Sequence, residues 1–177
     1  ASVLSRLVDR EPGAIQTSHR YGLSLIGAGD YRQGIEQLTR VVREGKATGV
    51  TWHSLGHAYG ELGSYDEALD AFKKAIRLEP ANSWHYLRGA SLIADAARVS
   101  PGFQRYIPLA SEWTTRAGEL GASQENLRPI RSMLSAHVRY GGQPYSPSPS
   151  PRRAPYGGGR YDQVVQPSYV IPVRNAY

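Results

Sequence analysis

The sequence predicts an all-α protein made of stacked antiparallel helix pairs. Three observations predict this class. Apolar residues recur at helical spacing through Thr51–Pro80. The same residue types return after about 34 residues, so a two-helix unit is repeated. Glycines and prolines, such as Gly29, Gly63 and Pro80, fall where the apolar stripes end. Two short helices cannot bury both their stripes alone, so units of this kind must stack.

Residues 49–82 set the pattern. Trp52, Leu55, Gly56 and Tyr59 share one side of a first helix, which Gly63 ends. Ser64 opens a second helix as N-cap, with Glu67 three residues on as its capping-box partner. Ala68, Phe72, Ala75, Ile76 and Leu78 form that helix's apolar stripe, and Pro80 stops it. Gly56 and Ala68 are small enough to let the two backbones approach. The series Trp52, Leu55, Gly56, Tyr59, Ala68, Phe72, Ala75, Pro80 resembles the tetratricopeptide repeat. The resemblance implies a right-handed α-solenoid of antiparallel helix pairs. It implies binding of other proteins on the concave face lined by the first helices, and it implies no catalysis.

Taken in order, residues 1–14 read as half a repeat, a second helix with Leu4, Leu7 and Val8 on its stripe. A solenoid that opens this way exposes an apolar end, which its own N-terminal segment or another chain must cover. Residues 15–48 are a full repeat. Tyr21, Gly22, Leu25, Gly29, Tyr31, Gly34 and Leu38 stand one period before Leu55, Gly56, Tyr59, Gly63, Tyr65, Ala68 and Phe72. Asp30 and Gln33 supply a second capping box, and Gly34 in place of Ala weakens its helix by about 1 kcal/mol.

Residues 83–124 form an irregular third repeat. Tyr86, Ala90 and Ile93 keep the register, with Gly89 where a Leu is expected. The second helix returns late, through Ala110, Ala117 and Leu120. An insertion is therefore expected near Val99–Tyr106, around the loop signal Ser100-Pro101-Gly102, with Pro108 in the first turn that follows. The competing reading is one longer helix kinked at Pro108. Residues 125–141 read as a closing helix with Asn126 as N-cap, Pro129 in its first turn and Gly141 as its stop. Arg128, Arg131 and Arg139 make its outer face polar.

Residues 142–177 change character to an extended, low-complexity tail rich in Pro, Gly and Tyr. SPSPSP at 146–151 favours polyproline II. Beyond a glycine hinge, Tyr161, Val164, Val165, Tyr169, Val170, Ile171 and Val173 offer apolar side chains for docking on another surface. Ser146, Ser148 and Ser150 alternate with proline, a composition of O-glycosylated stalks, so an attached glycan is an expectation for the tail.

The net charge is +6, and residues 141–177 carry Arg152, Arg153, Arg160 and Arg174 against Asp162 alone. The ordinary meaning of such a balance is solubility. RRAPYGGGRY has the residue types that stack on nucleic-acid bases, but no nucleic-acid module accompanies it, so nucleic acid is not expected as a partner. No apolar run is long enough to span a bilayer. There are no cysteines, which excludes disulfides and thiolate metal sites. The compartment stays open. Ala1 in place of an initiator Met and the Ser/Pro tail lean toward a secreted or cell-surface setting.

The resemblance places Gln16 and His19, then Val50, His53, His57 and Glu61, then Trp84, Leu87 and Ser91 on the concave face. His53 and His57 are one helical turn apart. Three histidines and a glutamate invite a zinc reading, but the H-E-x-x-H pattern is absent and neighbouring helices stand roughly 8–10 Å apart. No metal and no cofactor is expected. Some members of the family clamp a terminal carboxylate with Lys and Asn. Here those positions hold His19 and Leu23, then His53 and His57, with Arg88 the one basic match, so that use is not expected. No nucleophile motif or phosphate loop occurs, and Asp66, Glu67 and Asp70 read as the favoured acidic first turn of a helix.

The sequence thus predicts a non-enzymatic protein-interaction module. The sharper expectation is head-to-tail association of copies, through the open N-terminal end and the tail, into an oligomer or filament. The alternative is a monomeric adaptor holding a partner peptide in its groove.

Overall fold

The computed structural model describes residues 12–139. The expectations for Leu4, Leu7 and Val8, for the tail's docking side chains from Tyr161 to Val173 and for serines 146, 148 and 150 lie outside the described residues. Within them the chain is all α. Its helices are α1 (Pro12–Gly27), α2 (Tyr31–Arg43), α3 (Gly49–Glu61), α4 (Tyr65–Leu78), α5 (Ser83–Val99), α6 (Ile107–Glu119) and α7 (Gln124–Arg139), with a 3-10 helix at Pro101–Tyr106. There is no strand among the described residues.

Neighbours in sequence pack as hairpins: α1 with α2, α3 with α4, α5 with α6. The first helices α1, α3 and α5 also touch one another in turn, and α7 packs on both α5 and α6. This is a solenoid of antiparallel helix pairs. The tight turns at Gly29, Gly63 and Gly121 have φ of +89°, +77° and +88°, a region that side chains avoid.

The hairpins close on glycine. A Cβ on Gly56 would lie 2.9 Å from the Phe72 ring, and one on Gly22 would lie 2.7 Å from the Leu38 side chain, at the equivalent place one repeat earlier. Gly34 has a packing reason. A Cβ there would meet Ile26 Cγ1 at 2.5 Å and the Gly22 carbonyl at 3.1 Å. In the next hairpin the corresponding residues are Gly60 and Ala68, so the bulk has changed sides. Gly89 makes room in a third way. A Cβ on it would lie 2.4 Å from Trp113, whose ring fills the space that Leu55 fills in α3.

Pro108 sits at the start of α6, and α5 runs on to Val99. The inserted stretch is a 3-10 helix rather than an open loop. Phe103 anchors it, 4% exposed, against Tyr65 and Tyr106.

Several details differ from expectation. Ser64 and Asp30 are N-caps by position, but neither side chain bonds to the helix. Their ψ values of 68° and 61° depart from the extended backbone that aims a capping oxygen at the third helical N–H. The reciprocal box forms instead at Thr48, with ψ of 174° and Thr51 as partner. The last helix begins at Gln124, and its cap is Ser123, which accepts from the Asn126 N–H, so Asn126 is not the cap. Pro129 consequently lies inside the helix and not in its first turn. Leu78 is 53% exposed, because the α4 stripe runs out at its last turn.

Candidate functional site

The first helices of the hairpins, α1, α3 and α5, which the resemblance makes the inner helices, present equivalent rows of residues. The row Gln16, Val50, Trp84 faces solvent: Gln16 is exposed, Val50 is 44% exposed and Trp84 is 47% exposed. Val50 and Trp84 thus place apolar side chains open to water at equivalent positions of neighbouring helices. Beside them, the Arg88 guanidinium stands 5.8 Å over the Trp84 ring. The next row holds His57, half-buried, and Ser91, with exposed Glu61 one turn on from His57. His57 Nε2 is 3.5 Å from Glu61 Oε1, too far for a good hydrogen bond. Burial first, and then the Arg88 charge, hold the His57 pKa down to about 4. His57 is therefore a neutral ring at pH 7, and Tyr31 packs edge-on against it.

Three of the expected groove residues point elsewhere. His53 is 7% exposed and Leu87 is 4% exposed, and His19 is half-buried. Both histidines tie one inner helix to the next. His19 Nε2 is 3.0 Å from Thr51 Oγ1, and His53 Nδ1 is 3.0 Å from His85 Nδ1. The two links span the same 32-residue step, so they are one device used twice.

The second link continues inward. His85 Nε2 lies 3.0 Å from Glu79 Oε2, which also accepts from Asn82 Nδ2 at 3.1 Å. The Asn82 side-chain oxygen in turn caps α5 by accepting from the Trp84 N–H. A Glu79 carboxylate that accepts from His85 Nε2–H leaves His85 Nδ1 as an acceptor, so the proton between the two Nδ1 atoms belongs to His53. Both rings are then neutral. Burial lowers the pKa of His53 well below its ordinary value, with the His85, Arg88 and His57 charges adding to it. Burial lowers that of His85 too, with Glu79 opposing. Burial pushes the Glu79 carboxyl up, yet hydrogen bonds from Asn82, His85 and the Gly49 backbone together bring it below its usual range.

Sequence reasoning missed this chain. The signal that could have found it is the repeated spacing of His19 to Thr51 and His53 to His85. Among the described residues no group of three His, Cys, Asp or Glu side chains is arranged to hold an ion. His53 ends the hydrogen-bonded chain inside packed rings, stacked under Trp84 and edge-on to Phe72.

Residues 50–82 match the family model of the tetratricopeptide repeat. Residues 50–82 thus carry a tetratricopeptide repeat, the helix pairs on either side stack on it in the same way, and repeats of this family serve protein–protein interaction. The chain is similar to mouse Superkiller complex protein 3, 31% identical over 87 residues, which is 49% of this chain and 6% of that protein. It is similar to the human Superkiller complex protein 3, 33% identical over 73 residues, 41% of this chain and 5% of that protein. The chain thus spans only a small part of the length of the curated relatives it matches. No helix among the described residues is long and apolar enough to cross a membrane.

Proposed function

We propose that the chain is a scaffold that holds an extended segment of a partner protein along its inner helix face. The observation that carries this is the exposure of Val50 and Trp84 at equivalent positions of α3 and α5. Around them lie Gln16, His57, Glu61, Arg88 and Ser91. The partner segment then has an apolar side chain for the Trp84 face and a carboxylate within reach of Arg88. The relatives' name, that of a complex component, fits a scaffold. By this reading the repeats divide at 15–48, 49–82 and 83–124, and α7 closes the stack.

The test is selection of peptides from a displayed library on the intact chain, followed by calorimetric titration. Trp84→Ala and Arg88→Glu should each weaken a selected peptide by at least about tenfold. Unchanged affinity in both variants removes the inner face from the proposal.

A second reading, head-to-tail association of copies, has one supporting observation. Tyr21 of α1 is 52% exposed, whereas its counterpart Leu55 of α3 is 2% exposed beneath α2 and α4. A second copy covering Tyr21 would complete the stack, with the tail from Tyr161 to Val173 as the other half of the contact. Light scattering decides it: an oligomer that Tyr21→Asp dissociates supports the reading, and a monomer at high concentration ends it.

A further inference from the structure

We propose that the cleft between α2 and α4, floored by α3, is a second binding site, and that it takes an arginine side chain from a partner's peptide segment. Trp52, Leu55 and Tyr59 form its floor. They lie on the side of α3 opposite Val50, His57 and Glu61, so the cleft is separate from the inner face. Its volume is about 270 Å³. That admits one long side chain and is short of what a drug-sized ligand or cofactor needs.

The lining chooses the charge. The Lys74 ammonium stands 4.1 Å from the Trp52 ring centroid, so the aromatic face already attracts a cation. Glu67 and Asp70 stand on the rim and are exposed; the nearest ion pair of Asp70 is a loose 3.9 Å contact with Lys73. Lys73 is not part of the lining and stands over the Tyr106 ring, so the lining itself carries two carboxylates against one ammonium. Arginine suits it better than lysine does. A planar guanidinium stacks on Trp52 while its edge donates to a carboxylate, and it sheds water more readily than an ammonium. Lys74 is then a resident competitor on a flexible stem, which swings out when arginine enters.

The experiment uses the whole chain, isotopically labelled, and an acetylated, amidated heptapeptide with the sequence of residues 150–156, SPRRAPY. Shifts of the Trp52 indole N–H are followed by nuclear magnetic resonance, with the Trp84 and Trp113 indoles as internal references. The titration is repeated on the Arg152→Gln/Arg153→Gln chain, so that the chain's own segment cannot hide the cleft. Trp52→Ala is avoided because Trp52 packs in the core.

The proposal expects saturable binding, an about tenfold loss when both peptide arginines become neutral citrulline, and a similar loss in Glu67→Gln/Asp70→Asn. It also expects Lys74→Ala to tighten binding severalfold, because the competitor and its like charge are gone. No Trp52 shift at millimolar peptide in either chain would overturn it. So would a citrulline peptide that binds equally well, or a Lys74→Ala variant that binds more weakly.

Discussion

Alanine at position 34 should destabilise the protein even though alanine is the better helix former. In an exposed helix Gly→Ala gains about 1 kcal/mol. Here the new Cβ would stand 2.5 Å from Ile26 Cγ1, where carbon atoms prefer about 3.5–4.0 Å. The struck atom is the inner methylene of a stiff β-branched side chain, not a free end. Ile26 is 2% exposed and the Gly22 carbonyl stands 3.1 Å away, so neither side can yield. Overpacking of this kind costs about 1–3 kcal/mol, so Gly34→Ala should come out about 0–2 kcal/mol less stable than the parent once the helical gain is deducted. Ile26→Ala alone leaves a cavity and should cost about 2–5 kcal/mol. The double variant recreates the small-to-small contact of the next hairpin, where a Cβ on Gly60 would lie an ordinary 4.0 Å from the Ala68 Cβ. It should therefore be more stable than the sum of the singles by about 1–3 kcal/mol. Urea unfolding followed by circular dichroism, with slopes checked for constancy, measures all four corners of the cycle. A Gly34→Ala chain more stable than the parent, or a coupling energy near zero, would refute the packing account.

Three further outcomes are expected. Stability should fall with acid. The folded pKa values of His53, His57 and His85 lie below the unfolded ones, so the unfolded chain binds more protons. Their contribution is complete above about pH 7 and is lost as pH drops from about 6.5. His57 alone, at about 4 when folded, should cost about 2 kcal/mol by pH 5, and equal urea midpoints at pH 7.5 and 5 would contradict this. Gly89→Ala drives a methyl to 2.4 Å from the buried Trp113 ring and should destabilise by about 1–3 kcal/mol, read as a lower melting temperature. Thr48→Ala removes a formed cap and should cost about 1 kcal/mol, while Ser64→Ala, with no cap bond to lose, should change the urea midpoint far less.

The hairpins were legible because their apolar stripes recur with residue types that only close packing explains, Gly56 against Phe72 being the clearest. The caps were less so. Ser-x-x-Glu at Ser64 names the right residues, but the bond depends on a backbone ψ that tertiary packing of the turn decides. Gly89 was visible as a departure without a cause, since its cause is Trp113, beyond an insertion that shifts which side chain fills the shared space.

The inner face was half legible, and the rows say why. Each inner helix has a forward edge that meets the next inner helix and a rear edge that meets the one before. His19, His53 and Leu87 occupy the forward edge, and Thr51 and His85 the rear. Position alone puts the forward edge beside the groove, which is why these residues read as ligand contacts. In the structure His19 bonds Thr51 and His53 bonds His85, while Leu87 shares one buried cluster with Ile130 and Leu134 of α7. The row that joins repeats is thus polar at its first two steps and apolar at its last. That leaves Val50 and Trp84 exposed, with His57 and Ser91 half-buried beside them. It also gives α7 the place of a fourth inner helix, which explains why it packs on α5 as well as α6. A partner seated on Trp84 would bear directly on the His53 ring stacked beneath it, so binding on the inner face and the proton-sensitive join between α3 and α5 share one side chain.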